Sequence, residues 1–164
     1  MAKKTSHTES KIQIQCVTWL NYQYPHLAPL FFAVPNGGYR NAVEASIMKA
    51  EGVRAGVTDL ILNVPSGTYT QLGIEMKTES KDSRQSAAQK RYQRYAEAVG
   101  IKYIVCRSFE QFKQEASEYI AGIDIALVSK LYMIHQQEQQ EEIMLARQMY
   151  QKRCNTSTTI RTTL

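Results

Sequence analysis

Ile12, Cys16, Trp19 and Leu20 recur at the spacing of one helical face. Ser6 and Glu9 stand three residues apart ahead of that run, the spacing of a capping box, so a first helix is predicted over about residues 8–22. Pro25 and Pro29 break the chain, and Leu30-Phe-Phe-Ala-Val34 then reads as a short buried strand ending at Pro35. Asn36-Gly37-Gly38 is a turn signal. Asn41 to Glu51 predicts a second helix with Ala42, Ala45, Ile47 and Met48 as its apolar positions and Gly52 as its stop. Two alternating runs follow, Asp59 to Val64 and Thr70 to Lys77, joined by a turn at Pro65-Ser-Gly-Thr68. Ser83 or Ser86 can cap a third helix that ends at Gly100, and Lys102-Tyr-Ile-Val-Cys106 is a fourth strand. Ser108 caps a helix carrying Phe109, Phe112, Ala116 and Tyr119. The order αβ-αββ-αβ-α over residues 1–121 predicts an α/β or α+β domain built on one sheet.

Beyond Gly122 the pattern changes. Ile125, Val128, Leu131, Tyr132 and Ile134 are separated from Ile143, Leu145 and Met149 by the polar run Gln136 to Glu142. No proline or glycine interrupts Asp124 to Arg153, which predicts one helix of roughly 45 Å. The last ten residues, rich in threonine, read as a frayed tail. The expected division is a domain over residues 1–121 and a helical extension with a tail over 122–164. The 164 residues are 43% hydrophobic and 21% charged, which excludes a wholly disordered chain. No run of about 18 apolar residues occurs to cross a membrane. The N-terminal segment has no apolar stretch behind its lysines and does not read as a signal peptide. Cys16, Cys106 and Cys154 form neither a disulfide framework nor a zinc spacing, as expected of a cytoplasmic protein. The net charge of +5 suits a polyanionic partner.

Phosphate-binding loops, dinucleotide fingerprints, H-E-x-x-H and G-x-S-x-G are all absent, and His7, His26 and His135 stand alone. The informative stretch is Asp59 to Lys77. Gly73, Glu75 and Lys77 share one strand face, and Leu72, Ile74 and Met76 share the other. If Val64 pairs with Thr70 across the turn, antiparallel register sets Asp59 opposite Glu75, with Cβ atoms about 4.5–5.5 Å apart. Two like charges there repel unless a cation lies between them. Mg²⁺ fits, since it takes carboxylate oxygens and keeps several waters, and the backbone carbonyl of Met76 is a candidate third ligand. Lys77 is then within reach of bound water or a phosphate. That set matches phosphodiester hydrolysis. The plainer reading is a strand start at Asp59 and a surface pair at Glu75 and Lys77.

Cationic groups accompany this pair. Pro35-Asn-Gly-Gly-Tyr-Arg40 is a turn, yet Asn36 and Gly37 would also let backbone amides approach a phosphate beside Arg40. Between Lys77 and Arg94, six basic residues face two acidic ones. Arg84, Lys90, Arg91 and Arg94 form either a solvated face or a surface that tracks phosphates. Tyr92 and Tyr95 on the same helix read as partly core, with base or sugar contact as the alternative. Glu9 is either the capping-box glutamate or a residue near the metal.

Taken together, these residues resemble the virus-type replication-repair nuclease (VRR-NUC) domain of the PD-(D/E)XK superfamily, in its stand-alone phage or bacterial type. The resemblance covers about residues 8–112. It rests on Glu9, Pro35-Asn-Gly-Gly-x-Arg40, Glu51-Gly-Val-Arg-Ala-Gly-Val-Thr-Asp59, Gly73-Ile-Glu-Met-Lys77, Ser86-x-x-Gln89 and the strand after Gly100. It implies a restriction-endonuclease-like α/β core, a central mixed sheet flanked by helices, with the C-terminal helical extension added. It also implies Asp59 and Glu75 as metal ligands, Lys77 as the catalytic lysine, and Glu9 and Gln89 as supporting residues. Thr58 stands where the family usually has proline. The expected activity is a Mg²⁺- or Mn²⁺-dependent endodeoxyribonuclease acting as a homodimer on branched DNA such as four-way (Holliday) junctions. The alternatives are a nicking or trimming nuclease without branch preference, a non-catalytic DNA-binding module, and an interaction protein working through residues 122–153.

Overall fold

The computed structural model describes residues 4–35, 41–80 and 83–161. Two compact units emerge, Met1–Asp124 and Ile125–Leu164.

The first unit is built on a four-stranded mixed sheet. Its strands are β1 (Phe31–Ala33), β2 (Leu60–Leu62), β3 (Gln71–Met76) and β4 (Ile101–Cys106), in the spatial order β1-β2-β3-β4. β1 and β2 pair antiparallel, as do β2 and β3, whereas β3 and β4 are parallel. The parallel pair needs a crossover, which α3 (Ala87–Ala98) supplies. Helices α1 (Lys4–Gln23), α2 (Ala42–Ala50) and α4 (Phe109–Ala121) complete the unit.

Local signals account for most of these boundaries. Asn41 caps α2 by accepting from the Glu44 amide, and Gly52 follows its end at a positive φ of 102°. Ser86 and Gln89 form a reciprocal capping box on α3, and Ser108 caps α4. The first helix differs from expectation. It is already helical at Lys4, so Ser6 lies inside it and is not its N-cap. Glu9 is thereby released from any capping role.

One face of the sheet carries Leu60, Leu62, Leu72, Ile74, Met76 and Cys106, all buried. Residues paired across a register share a face, and here Leu60 lies opposite Ile74 and Met76 opposite Cys106. Phe31 brings β1 against Phe112 of α4, and Phe112 in turn meets Trp19 of α1 edge-on at 5.8 Å. Two helices therefore seal this side. The other side is covered by α3, whose Tyr92 ring lies 6.3 Å from that of Tyr103. Cys16 and Cys106 are both buried and both free.

The second unit is one helix, α5 (Ile125–Arg161), of 37 residues and so about 56 Å long. It runs past Arg153, so the backbone at 155–161 is helical and not a frayed tail. The physical reason is the absence of proline and glycine there. Tyr132, Met133, Ile134, Ile143, Met144, Leu145, Met149 and Tyr150 are exposed along it. Among the described residues, no helix is long and apolar enough to cross a membrane.

Candidate active site

The β2–β3 ladder pairs Leu60 with Ile74, Ile61 with Gly73 and Leu62 with Leu72. Extended by one residue, that register sets Asp59 opposite Glu75, as the alternation of the two runs predicts. The regular ladder stops short of Val64 and Thr70, yet its register is the one their pairing implies. Asp59 is anchored through its side chain, with Oδ2 accepting from the Met76 amide at 2.8 Å. Met76 thus contributes a backbone donor to the site, while its side chain packs into the opposite, apolar face.

Glu75 is fully buried and surrounded by donors. Lys77 Nζ lies 2.6 Å from Glu75 Oε1. The Gln89 side-chain amide donates to the same oxygen. On the other carboxylate oxygen, the Tyr103 hydroxyl stands at 3.5 Å. The capping box of α3 explains why Gln89 is aimed this way. Its Oε1 accepts from the Ser86 amide at 2.7 Å, which leaves the Nε2 end for Glu75.

Glu9 reaches the end of β3 from α1. Its Oε1 accepts from the Thr78 amide at 3.2 Å and from the Ser83 hydroxyl at 3.1 Å. Arg107, just past β4, donates from Nη1 to the carbonyls of Thr78 and Ser83 at 2.6 and 3.0 Å. The two residues pin the segment that leaves Lys77.

Electrostatics follow from this burial. Desolvation pushes the Glu75 carboxyl up to about 7, aided by the charge of Asp59 and opposed chiefly by Lys77. Asp59 is also raised, first by burial, with the Met76 amide and Lys77 opposing and Glu9 adding to the rise. Among the described residues, Lys77 is the cation bonded to this pair of carboxylates. Asp59 and Glu75 are the residues able to hold a cation. Among the described residues no three His, Cys, Asp or Glu side chains converge tightly enough to hold one alone. Backbone or water oxygens would have to complete the shell of any such ion.

Gly56 locks the loop before Asp59 to the helix bearing Gln89. Its φ is 90°, and a Cβ there would lie 2.4 Å from the Ala88 carbonyl carbon. Thr58, fully buried, packs against Gly73 so closely that an added Cβ would come within 3.0 Å of its methyl group. Its hydroxyl has no hydrogen-bond partner among the described residues, so the residue acts here through shape.

All five residues expected at the catalytic centre are thus linked through one stretch of chain. The cationic residues Arg84, Lys90, Arg91 and Arg94 are exposed, on α3 or just ahead of it. Asn36, Gly37 and Arg40 lie outside the described residues. Tyr92 is half-buried, but Tyr95 is 65% exposed and is not a core residue. Helical spacing alone cannot tell which arc of a helix meets the sheet. No motif in the sequence singles out Tyr103 or Arg107. The parallel pairing of Gly73 with Tyr103 is the signal that points to the tyrosine.

No family model matches the chain, and no curated protein matches it. Among solved structures, one described as a VRR_NUC domain protein shares 27% identity at a TM-score of 0.62, over 71% of this chain and 91% of its own. The fold is VRR-NUC-like: a restriction-endonuclease-like α/β core with a mixed sheet flanked by helices, followed by a C-terminal helix.

Proposed function

We propose that the chain is a metal-dependent endodeoxyribonuclease of the PD-(D/E)XK type. The observation that carries this is the Leu60–Ile74 register, which extended by one residue sets Asp59 across from the buried Glu75, with Lys77 on Glu75. The likeness to a VRR_NUC domain protein supports the same class. Asp59, Glu75 and the Met76 carbonyl would hold Mg²⁺ or Mn²⁺. When bound, such an ion acts as a Lewis acid toward a phosphate oxygen and lowers the pKa of water.

The chain's own residues do the remaining work. Lys77 places a positive charge where negative charge builds on the phosphate during hydrolysis. Gln89 and Tyr103 hold the Glu75 carboxylate in one orientation. Glu9 and Arg107 fix the segment after Lys77, so the lysine starts from a defined position. Arg84, Lys90, Arg91 and Arg94 track the DNA backbone, with Asn36, Gly37 and Arg40 as further phosphate contacts. Residues 1–121 form the nuclease domain and 122–164 the helical extension.

The substrate is branched DNA, four-way junctions included, cut by a homodimer, because paired nicks on symmetry-related strands need two sites related by the same symmetry. The apolar side chains exposed along α5 offer a contact for the second copy. The deciding experiment incubates the protein with Mg²⁺ or Mn²⁺ and matched linear, flap, fork and four-way substrates, with Asp59→Asn as control. Paired symmetric cuts in the junction, absent from the control, are expected. Equal cutting of all shapes removes the branch preference, and metal-independent or absent cleavage removes the nuclease reading.

A further inference from the structure

Between α3 and the loop that leads to Asp59, a cleft of about 600 Å³ opens. Arg54 and Ala55 form one wall, and Ala88, Arg91, Tyr92 and Tyr95 form the other. A second depression of about 340 Å³ continues along the helix and is lined by Arg91, Arg94, Tyr95 and Ala98. Arg91 and Tyr95 belong to both. The Tyr95 ring is 65% exposed, with the Arg91 guanidinium 6.0 Å from its centre.

The chemistry of this surface is selective. Three arginines line the two depressions, and no acidic side chain among the described residues does. An exposed aromatic ring set among these arginines suits a ligand that is itself both aromatic and anionic. Duplex DNA offers phosphates to the arginines but keeps its base faces covered by neighbouring bases. Away from duplex ends, an unpaired, unstacked nucleotide is what presents a free face to a tyrosine. Stacking of that kind, with arginine beside it, is how single-stranded nucleic acid is held without sequence preference.

We infer that this cleft is a binding site for an unpaired nucleotide, with the base stacked on Tyr95 and the flanking phosphates held by Arg54 and Arg91. The inference deepens the nuclease reading and rests on it for the identity of the polymer. Its position fits that role. The loop behind Arg54 and Ala55 is clamped at Gly56 against the backbone of Ala88 and Gln89, and Gln89 is bonded to Glu75. The two walls are therefore continuous with the two segments that carry the candidate catalytic groups. On this reading the site selects DNA with an unpaired stretch near the bond to be cut.

The test uses the full chain with EDTA present, so that no cleavage intervenes. The probes are a single-stranded oligonucleotide carrying 2-aminopurine and the same sequence as a duplex. Stacking on tyrosine should quench the single-strand probe in the wild type and in Tyr95→Phe, and Tyr95→Ala should lose the quench. The ratio of single-strand to duplex affinity should fall roughly five- to hundredfold in Tyr95→Ala. Arg54→Gln should weaken single-strand binding while leaving the quench of the bound probe intact. No quench in the wild type, or equal loss of both affinities in Tyr95→Ala, overturns the proposal and leaves Tyr95 as a helix-surface partner of Arg91. A cleavage assay run in parallel separates the two readings. A protein that quenches through Tyr95 but cuts no DNA keeps the cleft and loses the nuclease. One that cuts but never quenches keeps the nuclease and loses the cleft.

Discussion

β3 has two faces of opposite character. Leu72, Ile74 and Met76 enter a face sealed by α1 and α4, where each buried apolar side chain contributes about 1.5–3 kcal/mol. Gly73 and Glu75 enter the face under α3, where a carboxylate is fully removed from water and held by a lysine, an amide and a tyrosine. Burying that charge opposes folding unless it is fully paired. The contrast assigns stability to one side of the strand and the candidate site to the other. The candidate site is held in place by the layers around it and adds little to holding them together.

The largest expected effect breaks the comparison most directly. Asp59→Asn or Glu75→Gln should lower cleavage roughly a hundred- to a thousandfold, the scale on which groups stabilising developing charge act. Without metal the melting temperature should hold or rise in both. Phe112→Ala on the sealed face should do the reverse, destabilising by about 3–5 kcal/mol while the molecules that stay folded keep their turnover. A Glu75→Gln protein that unfolds like Phe112→Ala would sink the division of labour.

Gly56→Ala comes next. A side chain there meets the Ala88 backbone, and the positive φ adds strain of roughly 1–3 kcal/mol. Because it pushes the Asp59 loop from the Gln89 helix, activity should fall more than stability does. Parallel urea melts and cleavage rates would show it, and a proportionate loss in both would make Gly56 a purely structural residue.

The pH dependence follows from the same buried charge. Glu75 keeps its proton to about 7 when folded, against 4.5 for the unperturbed group. Between those values the folded state binds more protons than the unfolded one, so stability must fall as pH rises. The fall amounts to roughly 3 kcal/mol for such a shift and levels off above pH 7. Asp59, raised for the same reason, adds in the same direction from its lower starting point. Melts in EDTA from pH 4 to 8 would measure this slope, and Glu75→Gln should remove most of it. Stability that instead climbs across this window would mean the carboxylate is better paired than its burial implies.

The smallest effect lies on the solvent side of α3. Neutralising Arg84, Lys90, Arg91 and Arg94 should weaken duplex binding and reduce the salt dependence by about 0.9 in slope for each phosphate no longer neutralised by the protein. A slope that does not change would reduce these residues to a solvated face.

The alternation in Asp59–Val64 and Thr70–Lys77, joined by a short turn, is enough to set the register that opposes Asp59 and Glu75, because strand periodicity and turn length are both local. The caps at Ser86 and Ser108 are legible for the same reason. Ser6 has the spacing of a further cap, but the helix has already begun at Lys4. Tyr95 shares a helix with Tyr92, and only packing shows that one meets the sheet while the other faces solvent.

The sequence by itself therefore determined the order of the elements, though not the bounds of α1 and α5, together with the β2–β3 register and the pair of carboxylates with the lysine beside them. Tertiary structure alone decided that Glu9 reaches Thr78 across 69 residues, that Arg107 holds the loop after Lys77, that Tyr103 stands over Glu75, and that Gly56 abuts Ala88. Hydrophobic spacing and capping motifs record what a residue does within a turn or two of itself. Contacts between segments brought together by the sheet leave no such periodic trace, because they depend on how whole layers stack.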